Sequence, residues 1–365
     1  MKRIAYLVEY GTICGAENSL LELLKNLDRK VFDPIVFAPY QGEFLKKIRD
    51  LSIPIIYLDM HKVPLLSNSL IKRHDIDLLH ANSLSMAVKT GEIASQLSIP
   101  TIGHIRDIMK LTRKKISSLN KHRCLIAVSS AVKNYYVRLG ISVEKVICIH
   151  NGVDTGVFDP GRMNNSVLHK EFGLSPDHFL IGCIGQICLR KAQDVFLAAA
   201  QRIASLFPQS RFFIIGKRFS TKNESYFYEK KLKKISEKAV LSNRCFFLGF
   251  RDTIPEVLYS LDCLIHVPHQ EPCSRVLLEA SSMAKPIIAS NVGGTREIVC
   301  DNKTGFLVTD GDVAGIIEKI QTLMDNKELG LHLGLQARRT IQKKFSSPET
   351  TKKIEELYKT LLLMN

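Results

Sequence analysis

Two glutamates, Glu271 and Glu279, are separated by seven residues in the run EPCSRVLLEASSMAKPIIASNVGG, which spans Glu271 to Gly294. Just before them CLIHVPHQ reads as a strand and its exit. Glu271-Pro272 is a turn dipeptide, and Ser274 is placed to cap a helix running through RVLLEASSMA. That puts Glu271 in a loop at the strand's carboxyl end and Glu279 in the second turn of the helix. Between them lies the first turn of that helix, whose amides are a natural seat for a diphosphate, with Cys273, Ser274, Arg275 and Val276 as the candidate contacts. A single ligand could then offer sugar hydroxyls to one carboxylate, phosphates to the amides and ribose hydroxyls to the other. The same spacing also describes two glutamates on a solvated helix face, and spacing alone leaves both readings open.

The elements that must position these groups are legible along the whole chain. In the first half KRIAYLVEY, DPIVFAPY, IPIIYL, DLLHANS, PTIGHIRD, CLIAVSS and VICIHNGV read as strands, alternating with amphipathic stretches such as AENSLLELLKNL. The second half repeats the pattern with HFLIGCIGQ, RFFIIGK, CFFLGF, CLIHVP, PIIAS and TGFLV. Strands this continuously apolar are covered by helices on both faces, and alternation of this kind builds parallel sheets through right-handed crossovers. The segment NGVDTGVFDPGRMNNSVLHKEFGLSPDH is dense in Gly, Asn, Asp and Pro and reads as the linker. The expected fold is α/β: two doubly wound, Rossmann-like domains facing across a cleft. The first occupies residues 1–165 and the second 166–345, and a closing helix over 346–365 packs back toward the first. Ligands of such sheets bind beyond the carboxyl ends of the strands.

Composition narrows the function classes. At 365 residues two cores are expected, and no apolar run approaches the roughly 20 residues needed to span a bilayer. The nine cysteines are scattered and form no CxxC pair, which argues for reduced thiols in a reducing compartment and against a zinc site. A cytoplasmic protein is expected. The net charge of +15 implies an anionic partner. Residues 1–150 hold 22 Lys/Arg against 13 Asp/Glu, and KLTRKKISSLNKHR from Lys110 to Arg123 has six bases and no acid. That run is either a solvated helix face or a patch that meets an anionic membrane surface. Nucleic acid is not expected, since no helix-turn-helix, zinc finger or aromatic RNA-binding signature accompanies the charge.

Several other chemistries fail on spacing. There is no Walker A loop and no G-x-S-x-G elbow, and Gly11 and Gly15 lie four apart where a dinucleotide fingerprint needs G-x-G-x-x-G. Asp75-Ile76-Asp77 mimics a metal-binding Asp-x-Asp but precedes a strand instead of ending one, so no metal site is expected there. His104 in GHIRD, at a strand's carboxyl end, stands ahead of His80, His266 and His269 as a candidate histidine. His150 to Asp154 reads as a hinge turn.

The run around Glu271 and Glu279 resembles the signature of the retaining glycosyltransferases of the two-Rossmann-domain (GT-B) family 4, or group 1. GAENSLLELLKNLD, DLLHANS, IAVSSAVKNYY, VICIHNGVDTGVFDP, CFFLGFRDTIPEVLYSLDCLIHV and DNKTGFLVTDGD follow in the order such a protein would show, so the resemblance covers essentially the whole chain. It implies that Glu271 orients the donor sugar, Glu279 binds the ribose, Lys191 neutralises the diphosphate, and His104 contacts the sugar. The loop around Gly11 and Gly15 would approach the donor phosphate and the acceptor, and Arg251 in GFRDTIP would border the base. The family usually has an arginine where this chain has Gln186; Arg190 is the candidate to replace its charge. The activity implied is metal-independent hexosyl transfer from a UDP- or GDP-linked sugar, with no other cofactor. Its acceptor would be a lipid-linked glycan of surface polysaccharide or lipopolysaccharide, at the inner face of a membrane. A sugar-nucleotide epimerase and a non-catalytic sugar-nucleotide-binding partner subunit are the alternatives, the second kept open by Gln186.

Overall fold

The computed structural model describes residues 1–59, 63 and 66–363. It divides into two compact units, Met1–Val153 with Phe345–Asn365, and Asp154–Lys344.

In the first unit β1 (Lys2–Leu7), β2 (Phe32–Ala38), β3 (Ile55–Tyr57), β4 (Leu78–Ala81), β5 (Thr101–Ile105), β6 (Cys124–Ala127) and β7 (Val146–Cys148) form one sheet. Their order is β3-β2-β1-β4-β5-β6-β7, and every neighbouring pair is parallel. The crossovers carry α1 (Gly15–Asn26), α2 (Glu43–Asp50), α3 (Asn68–Arg73), α4 (Leu84–Ile93), α5 (Arg113–Leu119) and α6 (Ser130–Arg138). Every residue of β4, β5 and β6 is buried, the burial that their unalternating Leu, Ile and Ala content demands.

The second unit repeats the plan with β8 (Phe179–Ile184), β9 (Ser210–Ile215), β10 (Cys245–Gly249), β11 (Cys263–His266), β12 (Ile287–Ser290) and β13 (Phe306–Val308). Their order is β10-β9-β8-β11-β12-β13. Its helices are α7 (Val167–Glu171), α8 (Gln193–Leu206), α9 (Asn223–Ser236), α10 (Ile254–Ser260), α11 (Arg275–Ser282), α12 (Thr295–Ile298), α13 (Val313–Asp325) and α14 (Lys327–Lys344). Phe196, Phe212, Ile265 and Ile320 lie in its core. In both sheets the strand order reverses once, between β1 and β4 and between β8 and β11, and loops leaving the strands at such a point open a crevice.

The closing helix α15 (Ser347–Leu363) belongs to the first unit and packs on α1. Ile354, Tyr358 and Leu361 enter the same core as Ile4, Tyr6 and Leu24. The chain leaves and re-enters this unit at neighbouring points: the Val153 amide donates to the Phe345 carbonyl at 2.9 Å, and the Ser347 amide to the Val153 carbonyl at 2.9 Å. The unit therefore ends at Val153, earlier than the expected 165. Within the expected linker lies the short α7, and Phe172 at its end packs on Phe213 and Phe246 at ring distances of 5.5 and 4.5 Å. Among the described residues no helix is long and apolar enough to cross a membrane.

Candidate active site

The loops leaving β8 and β11 bring the acidic and basic candidates together. Lys191 Nζ donates to Glu271 Oε2 at 2.6 Å, and His266 Nε2 stands 2.9 Å from the same oxygen. An ionised carboxylate only accepts, so His266 donates through Nε2. Glu271 is 4% exposed. Burial alone would raise its pKa, but the Lys191 charge and the hydrogen bonds from His266 and Lys191 outweigh it and hold the carboxyl well below its usual range. Burial and the Lys191 charge push the His266 pKa down. The site is thus a buried carboxylate clamped by one ammonium and one imidazole.

Local backbone geometry sets the clamp. Ala192, directly after Lys191, adopts the left-handed φ of 50° as the N-cap of α8, a conformation a residue with a Cβ holds only at a cost. Gln193 Nε2 donates to the Gln186 carbonyl at 2.8 Å. Arg190 Nη1 donates to the Gln270 carbonyl at 3.0 Å, and the His269 amide to the Arg190 carbonyl at 2.9 Å, so the two loops are stitched in both directions. From the β12 exit the Gly294 amide donates to the Glu271 carbonyl at 2.9 Å. Gly293 has φ +51°, and a Cβ there would lie 2.1 Å from that carbonyl oxygen. Only glycine lets the chain pass so close.

Ser274 caps α11, its Oγ accepting from the Leu277 amide at 3.3 Å. Cys273 is buried beside it, and Arg275 and Val276 open the helix half-buried. Glu279 is 8% exposed and pairs with Arg275 at 3.2 Å one turn earlier. Neither glutamate is therefore a solvated surface residue. Arg251 is placed elsewhere: it follows the edge strand β10, with β9 between it and β8. Its guanidinium meets Glu171 of α7 at 2.5 Å.

His104 lies in the first unit, buried at the end of β5. Its Nδ1 is 3.2 Å from His80 Nε2 and 3.1 Å from Arg106 Nη2. Arg106 also donates to the Asn82 carbonyl at 2.9 Å, to Asn82 Oδ1 at 2.9 Å and to Asn151 Oδ1 at 2.8 Å. Gly15 is the first residue of α1, and the Asn82 side chain donates to the Ala16 carbonyl at 3.1 Å. A Cβ on Gly11 would fall 1.7 Å from the Gln41 carbonyl oxygen, so loop packing by itself requires that glycine. Asp77 accepts from the Arg3 amide at 2.7 Å and from Lys2 Nζ at 2.9 Å, which ties Asp-Ile-Asp to β1.

Sequence reasoning missed three parts. His266 stood only among the lesser candidate histidines, and its position as the last residue of a strand leading to an acidic loop is the signal for its contact. Gly293-Gly294 carried the signal of a glycine pair just past a strand. Arg106 and its asparagines left no signal, because their partners come from separate crossovers.

The family model described as "Glycosyl transferases group 1" matches residues 165–340, and the one described as "Glycosyltransferase Family 4" matches residues 13–157. The chain is a group 1 glycosyltransferase of the GT-B fold. It aligns with a UDP-Gal:alpha-D-GlcNAc-diphosphoundecaprenol alpha-1,3-galactosyltransferase of Escherichia coli at 27% identity, over 79% of this chain and 76% of that one. With the N-acetyl-alpha-D-glucosaminyl L-malate synthase of Bacillus anthracis the identity is 24%, over 80% and 76%. The fold matches that of Anabaena HepE, solved with UDP and glucose, at a TM-score of 0.86 and 23% identity over 98% of this chain and 100% of that one. The relatives of this glycosyltransferase thus include enzymes of lipid-linked glycan assembly.

Proposed function

We propose that this glycosyltransferase moves a hexosyl group, with retention of anomeric configuration and without a metal, from a nucleotide diphosphate sugar to a hydroxyl of a lipid-linked glycan. The donor is UDP- or GDP-linked, and the name of the Escherichia coli relative makes UDP the first choice. The observation that carries this reading is the buried Glu271–Lys191 pair beside the start of α11, with Glu279 one turn in.

In the proposed reaction the bond from the anomeric carbon to the diphosphate oxygen breaks, a bond to the acceptor oxygen forms on the same face, and the departing phosphate oxygen takes the acceptor's proton. Negative charge develops on the leaving diphosphate. An ammonium has three donors, so Lys191 can keep Glu271 and still reach a phosphate oxygen. The first-turn amides of α11 add partial positive charge, and Arg190 supplies the guanidinium that Gln186 lacks. Glu271, held ionised, accepts from sugar hydroxyls, Glu279 from the ribose, and His104 contacts the sugar. The protein's contribution is chiefly orientation and charge.

Equilibrium binding of UDP, GDP and ADP to wild type and Glu279→Ala tests the reading. One nucleotide should bind selectively, and loss of a charge-assisted hydrogen bond should weaken it roughly tenfold or more. Absence of binding by any of the three below the millimolar range would overturn it, and turnover abolished by EDTA would remove the metal-independent step.

A further inference from the structure

The contacts around His104 belong to a buried polar chain that crosses four elements and fix the ring proton of His104 itself. A guanidinium has donors and no acceptor. Arg106 Nη2, 3.1 Å from His104 Nδ1, therefore requires a lone pair on that nitrogen. Burial and the Arg106 charge keep His104 neutral, so its one ring proton sits on Nε2. The same Nδ1 lone pair faces His80 Nε2 at 3.2 Å, which must then donate. His80, also neutral, is left with a lone pair on Nδ1, and the Tyr358 hydroxyl of α15 donates to it at 2.5 Å. The Tyr358 hydroxyl also lies 3.2 Å from that of Tyr6. The Arg106 contact by itself fixes the His104 proton on Nε2, and that donor is left over. His104 Nε2 is buried and has no hydrogen-bond partner among the described residues, and His104 borders a small void of about 10 Å³ with Arg106, Asn151, Ser19 and Ser347. A buried donor left unmade is costly.

We infer that Arg106 is a positioning residue that locks His104 as an Nε2–H donor, so that His104 offers a hydrogen bond to a ligand oxygen and never takes a proton from one. The inference rests on the proposed contact of His104 with the donor sugar, and it narrows that contact to a sugar oxygen that accepts. It also removes His104 from any role as general base toward the acceptor hydroxyl.

The wild-type tautomer decides the matter directly. Long-range proton–nitrogen correlations on 15N-histidine-labelled protein should show His104 with a pyrrole-type Nε2 and a pyridine-type Nδ1. A protonated Nδ1 would overturn the inference without any variant. Arg106→Met should populate the other tautomer and reduce the preference for UDP-galactose, UDP-glucose or GDP-mannose over the bare nucleotide by roughly three- to tenfold. Arg106→Lys, which keeps the charge but not the fork, serves if the methionine variant does not fold. Tyr6→Phe, at the far end of the chain, should leave the His104 signature unchanged. An Arg106 variant that retains both the tautomer and the sugar preference would overturn the positioning role. If His104→Ala leaves that preference intact while the wild-type tautomer is as described, the sugar contact fails and the proton assignment stands.

Discussion

The Lys191 ammonium and the Glu271 carboxylate, 80 positions apart in the chain, meet at 2.6 Å inside the second unit. The two side chains are 15% and 5% exposed. Lys191 is the main electrostatic support of Glu271, and the two ends of the pair answer differently to substitution.

Glu271→Gln keeps the shape and one acceptor oxygen while removing the charge. Turnover should fall by about a hundredfold, and the protein should still unfold cooperatively with a small shift in Tm. Lys191→Met strands a buried carboxylate and should cost about 3–5 kcal/mol of stability. Donor turnover and thermal unfolding, measured side by side, separate the two; matched losses of both in Glu271→Gln would make the pair structural.

Gly293 and Gly311 both have positive φ, but only the first presses on the site. A Cβ at Gly311, with φ +75°, meets nothing within 4 Å. Gly311→Ala should therefore lose roughly 1–2 kcal/mol from the left-handed backbone alone. Gly293→Ala should lose more and also depress turnover, because its Cβ displaces the Glu271 carbonyl. Equal stability losses with unimpaired turnover in both would refute the clamp.

Buried histidines should make stability decline in acid. Burial lowers His80 to about 3 and His122 to about 4, against an unfolded value of about 6.5. Below pH 6.5 the unfolded chain takes protons that the native state refuses, so stability present above 6.5 is lost progressively as pH falls. Glu271 acts in the same direction at lower pH: its pKa is depressed, so its contribution is present above the unfolded carboxylate value of about 4.3 and is lost only as pH drops through its lower native value. Urea unfolding between pH 6 and 4.5 should show a slope that His122→Asn reduces by about 1.4 kcal/mol per pH unit. An unchanged slope would contradict the neutral assignment.

Lys114 and Lys115 are exposed on α5, the helix within the basic run. If this face meets anionic lipid, Lys114→Glu with Lys115→Glu should weaken binding to phosphatidylglycerol vesicles by more than tenfold at low salt, at about 1 kcal/mol per charge. Unchanged vesicle binding would remove the support for a membrane-bound acceptor.

The thirteen strands of the described residues were legible as apolar runs, which inner strands such as β4, β5 and β6 owe to cover on both faces. The first unit's limit was not. Residues 154–178 look like linker by their Gly, Asn and Pro, and α7 is too short to show a period, yet the half-buried Phe172 packs its ring on Phe213 and Phe246 there. The solvated-helix alternative for Glu279 survived in the sequence although Arg275 stood four residues before it, the spacing at which helix side chains pair. The Lys191–Glu271 contact and the chain from Tyr6 to His104 depend on which strands become neighbours, and a single sequence carries no direct sign of that.

The crossing at Val153 has a consequence for synthesis. Residues 154–344 are made as a complete unit before the ribosome reaches the segment that finishes the other one. Through that interval β1 to β7 exist without α15, and His80 lacks the hydroxyl that fixes its proton. The nascent first unit therefore waits, its core open where Ile354, Tyr358 and Leu361 will enter, and maturation of that half is timed by the translation of α15.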